Sequence, residues 1–536
     1  MLSRLVAGQQ AKFGDLPEKQ QNICRKLTGL AEMTNHPHRK KLAIMRISCS
    51  PLLPILAACA PLAALTQPTA LGPEFQCNSY WTDNQLDAAV AADEAGNFVV
   101  AWDSWKQDGS INGVFAQRFD PAGYPLGEEF IVNTYTQEEQ ETPDVAMDQE
   151  GGFVVVWAGF GQGGEGGIFA RRYNNAGAAA GMPFKVSSFN FGIQNNPSVA
   201  MDKAGNFIAV WSSAYQDGDG RGIFAQRYNS AGTKLGEEFQ VNANPTHHQL
   251  YPVAAMDSEG NFAVAWLTQG PLNTDIYARR FSKNGSPLSG DLKISEGIGN
   301  SPLHPAIAMD EQGAWVVAWD SPRSGGSPGT DVSARRYLGN NPAQAAFKVN
   351  SSEAGYHHSP CVKAAPDGSI VVLWTSDQQD GDDAGVSGRR FNSNGLPLEA
   401  DFQVNTFATA NQRYPALAMT GEGSFVAVWE SQQQDGDGYG IYGKRFGTEV
   451  TRDATATAPS EILQVFPNPT SEVVFINAGR GQGFIVNQQG QLMAAWEQEE
   501  EKLQPIGVEN WPQGVYFVGF SSLLGPSQRH TFVKSP

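Results

Sequence analysis

The chain has 536 residues, of which 17% are charged and 58 are glycine, and its formal net charge is −18. That length holds a large core and more than one domain, and so much glycine predicts many tight turns in an all-β body. Beyond residue 46 there are 28 basic and 52 acidic residues, which excludes a nucleic-acid-binding role, because phosphate recognition needs clustered Lys and Arg.

Residues 1–67 read as a leader. A basic stretch, His38-Arg39-Lys40-Lys41 to Arg46, precedes the apolar run Leu52 to Leu65. That run is short for a bilayer span and fits a signal-peptide core, with cleavage expected between Ala64 and Gln67. Met33 and Met45 are alternative starts. A rival reading is open: Leu56-Ala57-Ala58-Cys59 resembles a lipobox, which would place a lipid on Cys59. Of five cysteines, Cys24, Cys49 and Cys59 lie in this leader. Cys77 and Cys361 make no disulfide framework and no zinc pattern. No other stretch is apolar enough for a transmembrane helix.

Residues 71–447 repeat. Trp102, Trp157, Trp211, Trp266, Trp319, Trp374 and Trp429 are separated by 55, 54, 55, 53, 55 and 55 residues. Each repeat reads as four short strands. In the third, Pro197–Asp202 is followed by a glycine turn and the apolar strand Phe207–Trp211. A Gly/Asp loop then leads to Ile223–Tyr228, and a last strand is Glu238–Asn242. A strand set of this kind buries both faces only by stacking on its neighbours. The period therefore predicts a seven-bladed β-propeller. The last repeat lacks its fourth strand, whereas Leu71-Gly72-Pro73-Glu74-Phe75-Gln76-Cys77-Asn78 matches Leu235–Asn242 of the third. The N-terminal strand is thus expected to complete the last blade and close the propeller.

Residues present in every repeat argue for scaffold. Arg118, Arg172, Arg227, Arg280, Arg336, Arg390 and Arg445 recur and are read as packing one repeat on the next. Positions that vary carry the functional expectations. The loop between second and third strands holds Gln-Asp-Gly in four repeats. Asp217 and Asp219, Asp380 and Asp382, and Asp435 and Asp437 could wrap a hard cation, and calcium is the candidate cofactor. These loops resemble the Asp-rich loops of integrin-type propellers, without their full spacing. The connections between repeats hold His247, His248, Tyr251, His304, Tyr356, His357, His358, Arg413 and Tyr414. Aromatic and polar groups of this kind suit a glycan or a protein ligand. No Gly-x-Ser-x-Gly, His-Glu-x-x-His or phosphate loop is present, so the reading leans away from an enzyme and assigns no catalytic residue.

The pattern Gly-x-Phe-Val-Val-x-Trp, Gln-Asp-Gly-x-Gly and Phe-Ala-Gln-Arg-Phe/Tyr resembles arrays in uncharacterised bacterial surface and secreted proteins. A Thr/Ala-rich linker, 448–463, follows. Residues 464–536 then carry Val465-Phe466-Pro467-Asn468-Pro469-Thr470, Gln488-Gln489-Gly490-Gln491-Leu492, Gly514-Val515-Tyr516-Phe517-Val518 and Thr531-Phe532-Val533-Lys534. This order resembles the C-terminal sorting domain of the type IX secretion system of Bacteroidota. The resemblance implies a small β-sandwich, partnership with that secretion machinery, and a secreted or surface-attached product. The expected function is an exported binding or adhesion protein, and the alternative is a polysaccharide-active hydrolase or lyase.

Overall fold

The computed structural model describes residues 67–447, apart from 162–165, 296–300, 324, 326 and 421–422, and most strand residues between 464 and 534. The leader with Cys59 and the linker 448–463 lie outside the described residues. So does most of the Phe466-Pro467-Asn468-Pro469 signal.

Every repeat forms an antiparallel sheet. In the first, Gln85–Ala92, Phe98–Trp105, Asn112–Phe119 and Phe130–Ile131 pair in that order. The second strand is buried along nearly its whole length, as an apolar strand covered on both faces must be. The seven marker tryptophans sit on these second strands and are at most 1% exposed. They fill cores shared between consecutive repeats: Trp211 packs with Val154, Val156 and Ile168 of the preceding one.

The recurrent arginines act between repeats as the sequence suggests. Arg118 donates to the carbonyls of Asn175 and Ala176 in the next repeat's turn, Arg227 to Lys283, and Arg445 to Pro121 of the first repeat. Arg390 also pairs with Glu399 of its own repeat at 2.9 Å. The first strand of the seventh repeat (Gln412–Thr420) packs beside that of the first. One core joins Val426, Val428 and Ile441 to Val90, Val100 and Trp102. The N-terminal segment lies on the outer edge of the last sheet, with Phe75 opposite Gly443 and Gln76 opposite Tyr442.

The sheet topology corrects the expected seven-bladed β-propeller closed by its N-terminal strand. Among the described residues no sheet closes into a barrel or propeller. The architecture is all-β, mostly antiparallel and multi-sheet. The physical reason lies in the hydrogen bonding: repeats meet through side-chain packing, and their ladders stop at the sheet edges. The third and fourth repeats are the exception. They merge into one eight-stranded sheet through a single parallel pairing of Arg221 with His248.

The C-terminal residues form two antiparallel sheets. One contains Gln464–Phe466, Val473–Ala478 and Lys502–Gly507. The other contains Leu492–Gln498, Gly481–Asn487, Gly514–Ser522 and Gln528–Lys534. Cys77 and Cys361 are free thiols, as their distant places in the repeats require.

Candidate active site

Each first strand carries the same irregularity. Pairing with the second strand slips between Leu86 and Ala89, Glu141 and Asp144, Arg413 and Ala416, and at the equivalent places elsewhere. The residue in each slip has a left-handed backbone: Asp87 (φ 53°), Thr142 (50°), Asn196 (49°), Tyr251 (50°), His304 (45°), Ser359 (51°) and Tyr414 (50°). Side-chain-bearing residues rarely hold such angles. A bulge of this kind re-aims the side chain it carries. Proline follows in six of the seven repeats, where its missing N–H costs the slipped ladder no donor. The bulge residue, the one before it, and the residue after each core tryptophan change from repeat to repeat.

At the junction of the seventh and first repeats these positions are acidic. Glu430, after Trp429, is 1% exposed. Its Oε2 accepts Arg413 Nε at 3.0 Å and its Oε1 accepts the Asp87 backbone N–H at 2.9 Å. Asp103, after Trp102, is 3% exposed. Its Oδ2 accepts from Asn112 at 2.7 Å, while Oδ1 is buried without a hydrogen-bond partner. Asp87 reaches solvent from its bulge, yet protein walls it closely enough to raise its pKa by burial, against the pull of Arg413. Glu141 joins them from the second repeat.

Burial dominates the electrostatics. It pushes Glu430 from its ordinary 4.5 up to about 7, outweighing the Arg413 guanidinium. Asp103 is raised well above the carboxylate range by burial, and then by the charges of Asp87, Glu430 and Glu141. Glu141 is raised by burial, then by Glu139 and Asp87. Carboxylates packed this way cannot all ionise. Crowding of this kind favours one carboxyl keeping its proton while a neighbour ionises, the combination that acid–base chemistry requires. Arg413 lies 4.1 Å from the Tyr439 ring centroid and 5.0 Å from that of Tyr414, so two cation–π contacts fix its orientation. Trp105 stands two residues beyond Asp103 on the same strand face and is 38% exposed, and Trp81 is exposed nearby in sequence.

The residues singled out in the sequence fall into separate groups. Arg413 and Tyr414 belong to the acidic cluster. His304 and His358 lie at the fifth and sixth repeats. His304 Nδ1 is 2.8 Å from Asp320 Oδ1, which also accepts the Ser359 N–H, and His358 Nδ1 is 3.1 Å from Ser359 Oγ. Burial alone would lower the His304 pKa, but the Asp320 carboxylate raises it. His247, His248 and Tyr251 lie at the third and fourth repeats and are exposed; Tyr356 is exposed just before the sixth repeat's first strand. His357 is a brace. It is fully buried, its Nδ1 is 2.8 Å from Ser376 Oγ, and burial lowers its pKa. It occupies the place where other repeats bury Gln85, Gln140, Gln194, Gln249 and Gln412.

The paired aspartates also serve as braces. Asp217, Asp380 and Asp435 each accept the N–H of the second aspartate of their loop. Asp219, Asp382 and Asp437 accept N–H groups of His247, Ala410 and Asp83 in the following connection. Among the described residues no group of three or more His, Cys, Asp or Glu is placed to hold a metal ion.

The four clustered carboxylates were not among the sequence candidates. Their signal was present: once the repeats are aligned on tryptophan, the following position reads Asp103, Ala158, Ser212, Leu267, Asp320, Thr375 and Glu430.

Residues 464–534 match the secretion system C-terminal sorting domain. The protein is therefore secreted or attached to the outer surface, as is typical of Bacteroidota, and carries a segment for the type IX machinery. Among the described residues no helix is long and apolar enough to cross a membrane. No curated protein matches the chain. Several solved structures are similar. A protein of unknown function from Dyadobacter fermentans has TM-score 0.42 and 12% identity, over 57% of this chain and 94% of that one. An endo-arabinase from Bacteroides thetaiotaomicron has TM-score 0.32 and 13% identity, over 52% and 98%. The polysaccharide lyase Uly1 has TM-score 0.41 and 8% identity, over 67% and 90%. The recurrence of carbohydrate-active enzymes among these structures corrects the leaning away from an enzyme.

Proposed function

We propose that this exported protein cleaves polysaccharide, by hydrolysis or elimination, at the junction of its seventh and first repeats. The observation that carries the reading is Asp103 Oδ1. It is buried and lacks a partner, and burial, then the charges of Asp87, Glu430 and Glu141, raises the pKa of its carboxyl. Breaking a glycosidic bond needs a proton donor to the leaving oxygen and a second group that accepts a proton or stabilises charge. Asp103 supplies the first. Glu430, held by Arg413 and the Asp87 N–H, supplies the second. Tyr414, Trp105 and Trp81 would stack on sugar faces, and His304, His358, Tyr251 and Tyr356 would contact more distant units.

The test is incubation of the purified full chain with a polysaccharide panel, reading new reducing ends. Activity is expected, and Asp103→Asn should lower it about 100-fold or more while circular dichroism stays unchanged. A panel on which the wild-type chain releases no ends would overturn the proposal.

A further inference from the structure

The sixth repeat carries a second set of reactive groups, away from the acidic cluster. Its bulge residue is Ser359, with φ 51°, turned out of the ladder like its counterparts in the other repeats. Ser359 Oγ lies 3.1 Å from Nδ1 of His358, and Nε2 of the same ring lies 3.4 Å from Asp377 Oδ1. A carboxylate facing Nε2 favours the tautomer with its proton there. Nδ1 is then the acceptor, and the Ser359 hydroxyl donates to it. Hydroxyl, imidazole and carboxylate follow in the order that a serine nucleophile needs. All three residues are half-buried, so a solute reaches them.

The remaining repeats supply a control. None of the other six has histidine before its bulge or aspartate three residues past its marker tryptophan. They build the same bulge without these groups, so the scaffold does not require the line of three. A second pair adjoins it. Asp320 Oδ1 accepts the Ser359 N–H at 3.1 Å and lies 2.8 Å from His304 Nδ1. One carboxylate, itself 2% exposed, thus holds the His304 ring beside the serine. Burial works against charge on that ring, but Asp320 outweighs it and favours the imidazolium, whose Nε2–H is a donor. Tyr356, whose carbonyl accepts the Asp377 N–H at 2.9 Å, adds an exposed aromatic side chain.

We propose that Ser359, His358 and Asp377 form an esterase site that removes O-acyl groups from a glycan. The glycan as carrier of the ester rests on the polysaccharide reading above; the ester chemistry does not. Ser359 Oγ passes its proton to His358 Nδ1 and bonds to the acyl carbon. The ester C–O bond breaks with its electron pair on the sugar oxygen, which takes that proton from His358. Water then gives a proton to His358 and its oxygen to the acyl carbon. The bond from the acyl carbon to Ser359 Oγ breaks, the serine oxygen recovers the proton, and a carboxylic acid leaves. His304 donates to the carbonyl oxygen as negative charge builds there. Asp377 is a positioning residue that fixes the His358 tautomer.

The experiment gives the purified full chain 4-nitrophenyl acetate and acetylated xylan, reading nitrophenolate, free acetate and reducing ends. The wild type is also treated with phenylmethylsulfonyl fluoride and its peptides are weighed. We expect both esters to be hydrolysed and the sulfonyl mass to appear on the Ser359 peptide. Ser359→Ala should lower both rates at least about 100-fold with circular dichroism unchanged. Asp377→Asn should lower kcat about tenfold or more at unchanged KM, a split that lost packing would not produce. Hydrolysis of neither ester, or a Ser359→Ala variant as fast as wild type, would overturn the proposal. Nitrophenolate without acetate would overturn the glycan as carrier. Acetate without new reducing ends from any polysaccharide would support this site and overturn the chain cleavage proposed above.

Discussion

Two junctions between repeats use the same backbone and opposite chemistry. Where the seventh repeat meets the first, the three variable positions hold Glu430, Asp87 and Asp103. Where the third meets the fourth, they hold Ser212, Tyr251 and Leu267. Asp87 and Tyr251 have almost the same left-handed backbone, with φ of 53° and 50°. Glu430 accepts the backbone N–H of the bulge it supports, whereas Ser212 is fully buried and donates to the Gln249 carbonyl at 3.1 Å. The strain of the bulge is common to both, so it belongs to the scaffold. The chemistry belongs to the side chains mounted on it.

Substitution at the two junctions should separate these contributions most widely in the rate. Glu430→Gln cannot ionise, and its single amide oxygen can accept from only one of the Arg413 and Asp87 N–H donors. We expect polysaccharide cleavage to fall about 10²–10⁴-fold, roughly 3–5 kcal/mol of barrier. Ser212→Ala at the other junction should leave the rate at its wild-type value. Equal losses in the two variants would mean that the distinction between the junctions is false.

The junctions should also differ in how stability depends on pH. In the folded chain Glu430 titrates near 7 rather than 4.5, so the native state binds its proton more tightly than the unfolded chain does. Its contribution is fully present below about 4.5 and is lost as pH rises through about 7. Asp103, Asp87 and Glu141 are shifted in the same direction. Thermal midpoints of the wild type, followed from about pH 5 to pH 8, should fall, and Asp103→Asn should flatten that fall. Ser212→Ala should leave it unchanged, since no carboxyl occupies that place. An Asp103→Asn curve parallel to wild type would show that the cluster stores no charge repulsion.

The repeat was legible because its cause is geometric: a tryptophan buried in every shared core returns at a fixed spacing. The same regularity concealed the bulges. Nothing in the sequence marks Asp87 or Tyr251 as a bulge, and their backbone angles show that they are turned out of the ladder. One candidate histidine is buried. His357 sits seventeen residues before Trp374, the place of a buried glutamine in five other repeats, and it does their bracing work. The acidic cluster escaped notice because Asp103 and Glu430 each follow a core tryptophan in separate strands. Their meeting depends on packing between the last and first repeats, which spacing along the chain does not encode.

The smallest effect sharpens the comparison furthest. A left-handed backbone costs a side-chain-bearing residue on the order of 1 kcal/mol, and glycine removes that cost. Tyr251 is 49% exposed, so Tyr251→Gly gives up little packing and should gain up to about 1 kcal/mol in denaturant unfolding. Asp87→Gly relieves the same backbone and keeps the N–H that Glu430 accepts. It also withdraws one of the crowded carboxyls. At neutral pH its gain should therefore exceed that of Tyr251→Gly. At about pH 3, below the ordinary carboxylate range that all four groups exceed, the two gains should converge on the backbone contribution alone. Equal gains at both pH values would assign the whole cost of the first junction to strain and none to charge.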